Sequence, residues 1–103
     1  MIARKWHGRV PAAKAERYYE YLLRTGLADY RNTPGNLGVL VERWTEGEVS
    51  HFLITTLWES LEAIKRFAGE DYQLARYYPQ DDDFLLEREP FVRHASVLMA
   101  QMT

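Results

Sequence analysis

Apolar residues recur along this chain with two different spacings, and the switches between them lay out its elements. Residues 2–9 read as a first strand, stopped by Val10-Pro11. Pro11 suits the first turn of a helix, where its missing donor leaves nothing unpaired. Ala12, Ala15, Tyr18, Tyr19 and Leu22 then follow at helical spacing, with Lys14, Glu16, Arg17, Glu20 and Arg24 mostly opposite and Gly26 as the C-terminal stop. Residues 29–36 are rich in turn formers and end in Pro34-Gly35-Asn36, which predicts a connector. Residues 37–43 make a second strand, Glu46-Gly47-Glu48 a hairpin turn, and residues 51–58 a third strand dense in β-branched and aromatic side chains. Ser60 is placed to cap a second helix whose core face is Leu61, Ile64, Phe67 and Ala68, and Gly69 breaks it. A further short helix is predicted over residues 71–77, ended by Pro79. An acidic loop over residues 80–90 and a last strand over residues 91–99 complete the order.

That order, β-α-β-β-α-β, is the split βαβ arrangement of ferredoxin-like α+β folds: a four-stranded antiparallel sheet with both helices on one face. The other face would be bare, yet the central strands are apolar on both sides. Phe52, Ile54 and Trp58 alternate with Leu53 and Leu57, and Leu37, Val39 and Val41 alternate with Leu40 and Trp44. Two-sided apolarity means both faces are covered, and one domain of 103 residues lacks the chain to cover the second. A second copy of the sheet is the economical solution, so a homodimer is expected.

Composition narrows the function classes. A net charge of −2 argues against nucleic acid, which demands a basic face. Without cysteine there is no disulfide framework, thiolate nucleophile, iron–sulfur cluster or cysteine-type zinc site. No apolar run approaches the roughly 20 residues of a membrane span, and no signal-peptide core follows the charged N-terminus. The expectation is a cytoplasmic protein that binds no membrane. An aromatic content of 14% is generous for this length, enough to line a ligand cavity or an interface as well as to fill a core.

The stretch Leu57-Trp58-Glu59-Ser60 leading through Ala63 to Phe67-Ala68-Gly69, its continuation Glu70-Asp71-Tyr72-Gln73-Leu74-Ala75-Arg76-Tyr77-Tyr78-Pro79, and Met1-Ile2-Ala3-Arg4 leading to Pro11 carry a family resemblance. Over nearly its whole length the chain resembles an antibiotic-biosynthesis-monooxygenase domain. The resemblance implies a ferredoxin-like unit that pairs into a dimeric α+β barrel. It also implies a choice among cofactor-independent quinone-forming monooxygenases, haem-degrading enzymes, small-molecule isomerases and members of unassigned role. Haem degraders of this kind use an asparagine on strand one, a tryptophan late in helix two and a histidine further on. By position these fall on Lys5, Phe67 and Tyr77, and all three differ, so haem breakdown is not expected.

A cofactorless oxygenase needs no metal, because its deprotonated substrate reduces oxygen itself. Its site requires a water-excluding pocket and a polar group to hold a phenolate or dienolate. The expected site is a pocket between the sheet and the second helix, walled by Trp58, Phe67, Tyr72 and Tyr77, with Lys5 or His7 as its catalytic polar group. The bland alternative pairs Lys5 and Arg4 with acidic residues at a dimer interface. His7, His51 and His94 fall at strand ends that could gather at one rim of the sheet; a cluster without metal is the favoured form, and a histidine-bound zinc or iron the competing one. Glu70-Asp71 and the Asp81-Asp82-Asp83 run read as solvated acidic turns. Three functions follow: a cofactor-free monooxygenase-like protein acting on an aromatic or polyketide-like small molecule, a non-catalytic ligand-binding or stress-related barrel, and a metal-dependent member using the histidines.

Overall fold

A computed structural model describes residues 1–102 of the chain. Strands β1 (Ile2–Pro11), β2 (Asn36–Glu46), β3 (Val49–Trp58) and β4 (Arg93–Ser96) form one antiparallel sheet in the order β2-β3-β1-β4. Helices α1 (Ala15–Arg24), α2 (Gly26–Asn32) and α3 (Leu61–Ala68) cover one face. The architecture is the predicted α+β ferredoxin-like sandwich, with α2 as an unexpected helix and none over residues 71–77. None of its helices, among the described residues, is long and apolar enough to cross a membrane.

The pleat decides what each strand residue does. In β1 the even positions Arg4, Trp6, Gly8 and Val10 point to the helices and are buried, whereas Lys5 and His7 point to the open face. In β3 Phe52, Ile54, Thr56 and Trp58 are sealed against the helices, and His51, Leu53, Thr55 and Leu57 alternate outward. Tyr18, Leu22, Leu27, Tyr30, Ile64 and Phe67 close the core from the helix side. Each fully buried side chain of this size contributes about 1.5–3 kcal/mol relative to exposure.

Three local expectations change. Gly26 opens a helix rather than ending one: Thr25 breaks the path with its hydroxyl donating to the Tyr21 carbonyl at 2.8 Å, and α2 then buries Leu27 and Tyr30 one turn apart. The first half of the expected connector is therefore helix, and the turn is confined to Pro34-Gly35, where Gly35 takes φ +94°. At α3 the expectation holds: the Ser60 hydroxyl accepts from the Ala63 amide at 3.2 Å, and Gly69 at φ +85° ends the helix.

Residues 71–77 do not form a helix. Their backbone groups are committed elsewhere: Leu74 bridges Phe91, the Ala75 amide donates to the Pro90 carbonyl at 2.9 Å, and the Val92 amide donates to the Gln73 carbonyl at 3.0 Å. Buried Arg4 reaches up from β1 and donates to the carbonyls of Leu74 at 3.1 Å and Tyr72 at 3.4 Å. The last strand is correspondingly shorter than predicted, because residues 91–92 pair with this strap instead of with β1.

Candidate functional site

On the helix side the space expected to be a pocket is filled. Trp58 is fully buried and donates through Nε1 to the Thr56 hydroxyl at 2.8 Å. Phe67 lies 6.0 Å from Trp58 and 4.5 Å from Tyr30, ring centre to ring centre, with the guanidiniums of Arg4 and Arg76 at 5.5 and 4.8 Å from its own. The gap left among Trp6, Tyr18, Tyr30, Ile54 and Tyr78 is about 20 Å³. Tyr72 stands apart, edge-on to His94 at 5.5 Å over a shallow recess, and Tyr77 packs against Trp6 at 6.2 Å and donates its hydroxyl to the Glu89 carbonyl. The four wall residues thus do not enclose one cavity, and the sheet separates Trp58 and Phe67 from Lys5 and His7. The single pocket expected from sequence is not formed, because neighbouring residues of a strand face opposite ways.

Burial raises the pKa of Tyr18, Tyr30 and Tyr78, so all three stay protonated. Asp81, raised by burial as well, accepts from the Tyr18 hydroxyl at 3.2 Å and the Tyr78 amide at 2.6 Å. These groups tie the acidic loop to the core and leave no free acid or base there.

The open face carries the polar chemistry. Lys5, His7, Leu53, Glu89, Phe91, Val92 and Arg93 line a recess of about 540 Å³. Within it His7 Nδ1 lies 2.6 Å from a Glu89 carboxylate oxygen, and His7 Nε2 lies 2.9 Å from Nδ1 of His51. An ionised Glu89 can only accept, so Nδ1 of His7 carries a proton; in the neutral ring Nε2 is then the basic atom and accepts from His51. Trp44 stacks flat on His51, at 4.7 Å and 3°, and donates to Glu46, whose carboxylate lies 3.9 Å from the far nitrogen of His51. The result is a chain Glu89–His7–His51–Glu46 running along the sheet, oriented at one end by a carboxylate in the manner of a base and its positioning group.

His94 does not join it. It pairs with Arg4 across β1 and β4 and faces the helices, where burial first and the Arg4 charge second lower its pKa and keep it neutral. Two of the three histidines meet, and among the described residues no group of three or more His, Cys, Asp or Glu side chains could hold a metal. The three-histidine set on which the metal-dependent alternative rested is therefore not assembled. The sequence does not single out Glu89 or Arg93: nothing in a loop's composition announces which strand residue Glu89 will cover, and Arg93 meets Lys5 only through the register of β1 with β4. Trp44 was seen only as an apolar position.

No protein-family model and no curated protein sequence matches the chain. Solved structures do. MhuD, a heme-degrader from Mycobacterium tuberculosis with two hemes bound in its active site, superposes with a TM-score of 0.65 at 21% identity, covering 99% of this chain and 100% of MhuD. A MhuD mutant with two manganese protoporphyrin IX molecules bound per active site gives 0.62 at 20% identity over 100% of both chains. A putative antibiotic biosynthesis monooxygenase from Bacillus cereus gives 0.59 at 19% identity, covering 99% of this chain and 94% of that one. The chain shares the ferredoxin-like α+β fold of these neighbours. At such identities likeness fixes the fold alone, and the side chains just described have to carry the chemistry.

Proposed function

We propose that this protein is a small monooxygenase-like enzyme that oxidises an aromatic or polyketide-like molecule with dioxygen, using its own residues and no cofactor. Its site is the open-face recess, with His7 as general base, Glu89 as the group that orients it, and Lys5 as the cation facing the substrate. The observation that carries this reading is the Glu89–His7 contact of 2.6 Å opening into a recess of about 540 Å³. A substrate hydroxyl or acidic C–H competes with His51 for His7 Nε2 and gives up its proton there, and Glu89 stabilises the imidazolium. The resulting carbanion or phenolate donates electrons to dioxygen. For an activated ring CH₂, both C–H bonds break, one oxygen atom becomes the new carbonyl and the other leaves as water, which balances the four electrons.

The enzyme works as a homodimer with the open faces together. Leu40 and Trp44 are 52% and 41% exposed on that face, and a groove of about 580 Å³ runs between Leu40 and residues 97–102, past Leu57. Such a dimer buries roughly 2,000 Å² or more in total and roofs the recess against water. Light scattering at micromolar concentration should give twice the chain mass; a monodisperse monomer removes the roof and the reading with it.

An anthrone in air-saturated buffer with chelator should consume oxygen without added flavin or metal. His7→Ala should slow this by about 10²–10⁴-fold while the melting temperature holds. Uptake no faster than the uncatalysed rate, or equal in wild type and variant, refutes the catalytic role. The second reading, a binding barrel without catalysis, is favoured by the engagement of both His7 nitrogens; saturable binding of the anthrone with no oxygen uptake would establish it.

A further inference from the structure

The open-face recess contains two cations that the chain itself leaves unanswered. Lys5 and Arg93 are direct cross-strand partners of β1 and β4, project to the same face, and both line the recess. Side chains so placed have Cβ atoms about 5 Å apart, and like charges directly opposite one another are destabilising. Neither makes an ion pair or side-chain hydrogen bond with another described residue, although Arg9, Arg43, Arg76 and Arg88 each find a carboxylate nearby. The only carboxylate in the recess, Glu89, is held by His7. Beside the two cations Phe91 is 67% exposed and Leu53 forms the apolar floor.

We propose that Lys5 and Arg93 form a clamp for a carboxylate, and that the ligand of this recess is an aromatic acid rather than a neutral ring. The ligand's carboxylate relieves the repulsion between the two cations. Arg93 offers a planar fork that matches carboxylate geometry, and Lys5 adds a point charge. The ring lies against Phe91 and Leu53, which sets its reactive edge toward His7. This rests on the recess being the functional site and narrows the substrate class to aromatic carboxylates.

Two probes with one ring system test it: 1,4-dihydroxy-2-naphthoate and 1,4-dihydroxynaphthalene, which lacks the carboxylate. Equilibrium dialysis without oxygen, at low salt, should show the acid binding at least tenfold more tightly to the wild-type protein. Lys5→Gln with Arg93→Gln should abolish the difference, and added salt should weaken it. Both positions are exposed, so circular dichroism should report an unchanged fold. Equal binding of the two probes, or a preference that survives the double substitution, overturns the clamp. A double variant that alters the association state by sedimentation while the preference persists also overturns it, and assigns the cations to contacts between copies. Because binding is read without oxygen, a clamp that holds while oxygen uptake is absent separates this inference from the catalytic one.

Discussion

The two faces of the sheet are built from alternate residues of the same strands and have opposite fates. On the helix face Phe52, Ile54, Thr56 and Trp58 are each no more than 2% exposed, and what polar atoms they carry are largely paired inside the protein. On the other face the residues between them stay half-buried, with Leu40 and Trp44 more exposed still. The centre of the first face is packed within one chain, leaving a gap of about 20 Å³, with recesses of about 350 and 270 Å³ only at its margins beside Glu16 and Leu61. The second is uncovered, and it holds the basic nitrogen, the unanswered cations and recesses of about 540 and 580 Å³. Aromatic richness was the natural guide to a pocket, and here it marks a packed interior.

The sharpest way to test that contrast is to damage each face in turn. Trp58→Ala should be the most costly change, since it opens a cavity among Tyr30, Phe67 and the sheet and removes the donor to the Thr56 hydroxyl. About 3–5 kcal/mol of stability should be lost, and the melting temperature should fall by more than ~15 °C. A loss below about 1 kcal/mol would mean the helix face is loosely packed after all. Leu40→Asp should act mainly on association. A carboxylate placed among Leu37, Leu57 and Met99 on the open face should raise the dimer dissociation constant by about 100-fold or more, roughly 3 kcal/mol, as seen by sedimentation at several concentrations. If association is unchanged, the open face is not where the copies meet.

The smallest effect is nil at neutral pH and grows only in alkali. Folding raises the pKa of Tyr18, Tyr30 and Tyr78, chiefly through burial. A raised folded pKa means the native state holds protons that the unfolded chain releases, so their contribution is intact below the ordinary tyrosine range, about 10. It is lost as pH climbs beyond that value. Denaturant midpoints should therefore be flat across neutral pH and drop above about pH 10, with Tyr78→Phe softening the drop. A midpoint that stays level to pH 11 would place these hydroxyls in water.

Much of the fold was legible because local chemistry and global pattern agreed. Ser60 and Gly69 delimit α3 as expected, and the alternation in β3 assigns each residue to its face. What failed depended on distant partners. Residues 71–77 have a helix-like spacing, but Arg4 and residues 90–92 supply hydrogen-bond partners that outcompete the helix. The candidate site was half legible: Lys5 and His7 do line a recess together. Their supposed walls lie across the sheet, an error of one pleat, because each step along a strand reverses the face. His94 was misplaced for the same reason.

The strap over residues 69–92 has a consequence for how the molecule comes apart. Its irregular backbone would ordinarily fray, yet Arg4 grips it across sequence separations of 68 and 70 residues, from the centre of the sheet. The long loop and the first strand therefore share one opening event, so amide exchange at Ala75 and Val92 reports on the detachment of β1 rather than on the wandering of a surface segment. Contacts of such span also form late and slowly. In a nascent chain β1 would wait for the strap around Tyr72 and Leu74 before Arg4 finds its partners.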